Sequence, residues 1–210
     1  MSISISSINY CPVKSISFQS IKSCEIIKNI GIVGDRIFAF SNGLDLNQAR
    51  LFEKKLEERR GKWNKILTLK NSPFLNKYNF LFDNDKLTLT QNNSEILTIN
   101  IDETSEYELL SNKILELESS LQKPIYLMKN KDIPFFDTSI SNKTVLTHSI
   151  SLINNQSIED FKNKTNQEIE TQRFRGNLYV DGVDAWEERN WIGNIIKINN
   201  ISFKVEKNIP

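Results

Sequence analysis

Residues 173–193 read "RFRGNLYVDGVDAWEERNWIG". The stretch opens on two closely spaced arginines and packs a glycine before an asparagine, an apolar run, an Asp-Gly turn and two tryptophans into one segment. Arg173 and Arg175 alternate with Phe174, so on a strand both arginines share one face and the ring takes the other. Arginine presents a planar fork of donors that suits phosphate. Gly176 removes a side chain where a ligand can lie. Asp181-Gly182 reads as a turn, and Trp186 and Trp191 read as packed core or edge aromatics rather than cofactor contacts. The spacing alone slightly favours a plain strand and turn over a ligand site.

The chain of 210 residues is long enough for one large domain or two small ones, and for a real core. Its formal net charge of +1 creates no global field toward nucleic acid or a membrane, so any anion site must be local. Cys11 and Cys24 match neither a zinc spacing nor a redox CxxC pair, and they read as reduced thiols of a cytoplasmic protein, with a disulfide as the alternative. His148 is the single histidine, and no G-x-S-x-G elbow accompanies it. No run of about 18 apolar residues spans a membrane. The N-terminal "MSISISSINYCPVKS" alternates Ser and Ile, which is a strand pattern and not a signal peptide.

Outward from the opening stretch, short alternating segments dominate. Residues 3–10 predict a strand broken at Pro12; "SCEIIKNI" predicts a second, "GIVGDR" a turn and "RIFAF" a third, the pattern of an antiparallel barrel or sandwich. Residues 47–62 are strongly charged and read as a solvated helix or excursion. "KILTL", "YNFLF", "KLTLT" and "EILTIN" follow as strands, with a hairpin turn at Asn84-Asp85. Residues 103–121 form the clearest helix, with Leu110, Ile114, Leu117 and Leu121 at helical spacing, Thr104 as its cap and Pro124 as its stop. "PIYLM" and "SISLIN" read as strands, Ser157 as the cap of a short helix, and "NIIKINNISFKV" as a hairpin around Asn199-Asn200. The expected fold is mainly β (α+β): a β-barrel-like domain over residues 1–122 and a second β domain over residues 123–210.

Two further segments carry candidate chemistry. In "PVKS" and "GDR", Lys14, Ser15 and Arg36 lie in turns, where a lysine, an arginine and a hydroxyl can hold an anion. Gly31 and Gly34 let backbone approach a ligand closely. "FFDTS" adds Asp137, Thr138 and Ser139 in a polar loop. On spacing alone the first pair reads as two turns with exposed basic residues, and the third segment as an ordinary loop.

Taken in order, these segments resemble the MOSC family, named for the C-terminal domain of molybdenum-cofactor sulfurase. "YCPVKS" with "IVGDR" looks like the opening of the N-terminal β-barrel domain that members often carry. "SLINNQSIEDF" looks like the family's strand and helix with a central serine. The opening stretch looks like its "RFR(G/P)N…DG…W…E…WIG" signature, and "RFRGN" is similar to alphaproteobacterial members. The resemblance implies a MOSC-type β-barrel and a bound molybdenum cofactor (molybdopterin). It also implies either sulfur transfer or molybdenum-dependent reduction of N-hydroxylated substrates, with a sulfur donor or redox partner protein.

By motif match, Lys14, Ser15 and Arg36 hold the cofactor's phosphate or pterin. Thr138 and Ser139 line the site, Arg175 holds the anionic part, and Asn177 fixes the local backbone. Family members place a cysteine, the metal ligand or persulfide carrier, shortly after the last motif. Neither Cys11 nor Cys24 occupies that position, so the sequence is expected to be incomplete or to be a member that binds without catalysing. The alternatives are a non-catalytic binding module for an anionic cofactor or sulfur-delivery partner, and a β-barrel interaction domain with no ligand.

Overall fold

The computed structural model describes residues 3–121, 124–136 and 149–208. In chain order the elements are β1 (Ser4–Tyr10), β2 (Gln19–Ile21), β3 (Ile26–Ile27), β4 (Gly31–Ile32), β5 (Phe38–Phe40), α1 (Leu46–Lys54) and α2 (Leu56–Arg59). Then come β6 (Tyr78–Asp83), β7 (Lys86–Gln91), β8 (Ser94–Asn100), α3 (Glu106–Leu117) and β9 (Leu127–Lys129). Last are β10 (Leu152–Asn154), α4 (Asn155–Thr165), β11 (Leu178–Asp181), β12 (Ile195–Ile198) and β13 (Ile201–Lys204). The fold is mainly β with helices, as expected, although among the described residues no sheet closes into a barrel.

Contacts divide the chain into two compact units: Tyr10–Ser20 with Cys24–Ser149, and Met1–Asn9 with Ile21–Ser23 and Ile150–Pro210. Within the smaller unit β1 pairs with β11, from far along the chain.

The larger unit is built on the meander β6-β7-β8. Its turns are Asn84-Asp85 (φ 46° and 59°) and Asn92-Asn93 (φ 50° and 62°), two left-handed residues each, which is the type I′ geometry that fits strand twist. Phe80, Leu87, Leu89 and Ile99 face its core and are buried. Against them packs α3 through Leu110 and Ile114. The helix starts one residue later than its expected Thr104 cap, from Ser105, and stops at Leu117, before Pro124. It stops there because Glu118 leaves the helical region (φ −131°, ψ 78°) while its carboxylate accepts the Tyr78 hydroxyl at 2.7 Å.

β5 pairs with β9, and all three β5 residues are buried. "KILTL" forms no strand; only Ile66 bridges, to Ser41. The expected strand over 23–30 shortens to β3, which turns at Asn29 (φ 66°) and pairs with β4. The charged run folds as α1 and α2. Asp45 opens α1 with a capping box to Gln48, and Ala49 and Phe52 face inward.

In the smaller unit β10 and β11 are parallel, and β11 pairs antiparallel with β1. Parallel neighbours need a crossover, and α4 supplies it. The cap of α4 is Asn154, whose side chain accepts from the Gln156 N–H, not the expected Ser157. The helix runs on to Thr165 and ends at the left-handed Asn166. β12 and β13 form the expected hairpin around Asn199.

Candidate functional site

The turn after β1 is closed by Ser17. Its hydroxyl donates to the Val13 carbonyl at 2.8 Å and accepts the Val13 N–H at 2.8 Å. That closure presents Lys14 and Ser15 at the tip, with Ser15 at φ 63°. A second turn, Val33–Arg36, lies alongside. Gly34 has φ +85°, and a Cβ there would stand 3.1 Å from the Tyr10 ring, so only glycine fits without displacing that ring.

Backbone hydrogen bonds lace the two turns together. The Arg36 N–H donates to the Cys11 carbonyl at 2.7 Å, Phe38 N–H to Pro12 at 3.0 Å, and Lys14 N–H to Phe38 at 2.8 Å. The buried Asp35 carboxylate completes the seam. One oxygen accepts the Cys11 N–H at 2.7 Å and the other accepts from the Arg36 guanidinium. Lys14 is only 4% exposed. The two turns that carry Lys14, Ser15 and Arg36 thus meet along one seam of the larger unit.

The Arg36 guanidinium pairs with the buried Asp35 carboxylate, and burial strengthens the field of that pair. The same burial, with Asp83 and Asp35 nearby, pushes the Tyr10 hydroxyl up to about 12. A third segment flanks the seam. The Phe135 N–H donates to the Arg36 carbonyl at 2.8 Å, and the Phe136 ring centre lies 5.2 Å from the Arg36 guanidinium. Asp137, Thr138, Ser139 and His148 lie outside the described residues.

Arg175 and Asn177 belong to the smaller unit. Residues 171–174 form a short 3-10 helix, so Arg173 and Arg175 do not alternate on a strand; the strand begins at Leu178. Arg173 is exposed, while Arg175 is half-buried at φ 51° and donates its N–H to the Gln172 carbonyl at 3.0 Å. Gly176 has a packing reason rather than a ligand one: a Cβ would stand 2.4 Å from Ile153 Cγ1. The buried Asn177 ties three segments together. Its Oδ1 accepts the Ser151 N–H at 3.1 Å and hydroxyl at 2.9 Å, and its Nδ2 donates to the Asn9 carbonyl at 3.1 Å.

The aromatic end of the opening stretch is structural. The Trp186 indole donates to Asp160, and its ring carries Arg189 at 4.4 Å. Ser157, rather than capping α4, donates to the Glu188 carboxylate at 2.7 Å and accepts the Trp186 N–H at 2.8 Å.

One backbone feature singles out the candidates. Left-handed φ is uncommon in residues other than glycine, asparagine and aspartate. Among the described residues, the remaining cases are Ser15, Arg36, Arg175 and Trp186. Three of these four are residues that the motifs single out for anion binding, and strained conformations cluster at functional sites.

Sequence reasoning missed two residues. Asp35 was legible as the centre of "GDR". Arg59 was not; it is 1% exposed although it sits in a charged run. The thiols offer less. Cys11 is buried and in no disulfide, and burial raises the Cys24 thiol, which disfavours the thiolate that binds soft metals. No group of three metal-ligating side chains occurs among the described residues, and none of their helices is long and apolar enough to cross a membrane.

The family model of the MOSC domain matches residues 120–210. No curated protein and no solved structure shows a significant match to the chain.

Proposed function

We propose that this chain, whose residues 120–210 match the MOSC domain model, binds a molybdenum cofactor through the cofactor's anionic end. The family is associated with molybdenum-cofactor sulfurase, and the donor set supports that ligand class. Lys14 and Arg36 supply charge, Ser15 supplies a hydroxyl, and Asp35 orients the Arg36 fork. The coincidence of left-handed backbone with motif residues at Ser15, Arg36 and Arg175 carries the reading. Thr138 and Ser139, which the resemblance assigns to the site, lie outside the described residues. Within its own unit, Arg175 offers a cation to an anionic group, and Asn177 fixes the backbone beside it.

When bound, the cofactor supplies a redox-active metal. This chain's residues bind and orient its anionic group. The proposed activities are sulfur transfer or reduction of N-hydroxylated substrates. A sulfur donor or redox partner protein would complete either. The second reading is a non-catalytic binding module, which the burial of Cys11 and the raised Cys24 thiol favour. Molybdenum and pterin content of protein made in a cofactor-producing host tests the shared claim. Both should fall in Lys14→Ala and Arg36→Ala, and protein free of both would sink it. Turnover with an N-hydroxylated substrate separates the readings.

A further inference from the structure

The guanidinium of Arg59 is fully buried, and every hydrogen bond assigned to it goes to a main-chain carbonyl. Its Nε donates to Phe52 at 2.6 Å and its Nη2 to Glu53 at 2.8 Å, both near the C-terminal end of α1, where carbonyls lack helical partners. Its Nη1 donates to Ile133 at 2.7 Å and Pro134 at 3.1 Å. Its Cζ lies over the Phe135 ring, 4.1 Å from the ring centre. Burial lowers its basicity to about 10, with Glu53 pulling the other way, so it stays charged at neutral pH.

Arg59 thus joins the end of α1 to the segment 133–135, and that segment reaches Arg36 at once. The Phe135 N–H holds the Arg36 carbonyl at 2.8 Å, and Arg36 keeps a left-handed φ of 55°. A strained residue persists only where its surroundings over-determine it. Arg36 is held by Cys11 from one side and by Phe135 from the other.

We propose that Arg59 is a positioning residue: it acts through Phe135 to hold Arg36 in its anion-binding conformation. Lysine cannot substitute, because its ammonium has no planar fork for separate carbonyls and no plane to stack on a ring. This rests on the proposed anion site, and the test separates the two.

The experiment compares Arg59→Lys and Phe135→Leu with the parent protein. Inorganic phosphate binding is read by calorimetry at a temperature where all are folded. Amide exchange is read at Phe135, with Leu87 and Leu89 in β7 as the global reference. The expected result is exchange at Phe135 faster by about tenfold with β7 unchanged, and phosphate affinity weaker by about tenfold, the scale of a lost charged hydrogen bond. Unchanged Phe135 exchange in the folded variants, or β7 amides that accelerate equally, overturns the role of Arg59. If Arg59→Lys does not fold, Phe135→Leu alone decides by the same criteria. A parent protein that binds no phosphate overturns the anion site instead, and Phe135 exchange still decides whether Arg59 holds the segment.

Discussion

The Asp35 carboxylate, 2% exposed, accepts the main-chain N–H of Cys11 at 2.7 Å while its other oxygen holds Arg36. One side chain thereby fixes both the seam between two turns and the direction of a guanidinium. Asp35→Ala removes the side-chain acceptor of a buried N–H and the carboxylate beside a cation. Urea denaturation should show a loss of about 2–3 kcal/mol. Retained stability would mean that backbone bonds alone hold the seam.

Arg36→Ala and Lys14→Ala should each weaken phosphate binding by about tenfold, with a steeper salt dependence in the parent than in either variant. Calorimetry at two salt concentrations measures both. Arg173→Ala, at an exposed position, should leave binding as it was.

Gly176→Ala forces a Cβ to within 2.4 Å of Ile153 Cγ1. Overpacking of this kind costs about 1–3 kcal/mol. A lowered Tm that Ile153→Ala restores would confirm a packing role. Loss of ligand binding with an unchanged Tm would point instead to a ligand beside this glycine.

Glu118 gives the larger unit an acid-sensitive point. Burial alone would raise its carboxyl, but hydrogen bonds from Lys77 and Tyr78 outweigh burial and hold it below the usual carboxylate range. A depressed folded-state value contributes stability that is full above the unfolded value and is lost as pH falls through the folded one. Glu118→Gln should therefore flatten the acid limb of a stability–pH curve without changing its neutral-to-alkaline shape. An unchanged acid limb would remove Glu118 from that role.

Local chemistry was legible in the sequence and long-range pairing was not. Asn84-Asp85 and Asn199-Asn200 announce their turns because left-handed backbone is a property of the residue itself. The apolar face of α3 shows by its spacing. The alternation of Arg173, Phe174 and Arg175 misled because a short helix with a left-handed end can follow the same letters. The burial of Arg59 depends on carbonyls from residues 52–53 and 133–134, which no local pattern displays. Likewise, the pairing of β1 with β11 joins opposite ends of the chain. At the site, Lys14, Ser15 and Arg36 were readable as turn residues, whereas the hydrogen bonds that lace their turns needed the fold.

The most direct test of the central claim is molybdenum and pterin content, measured by metal analysis and pterin fluorescence on the parent protein, Arg36→Ala and Lys14→Ala. All three are made in a cofactor-producing host. The account predicts stoichiometric molybdenum and pterin in the parent and marked loss of both in each variant, with folding intact. A parent protein that carries neither, or variants that retain both in full, would contradict it.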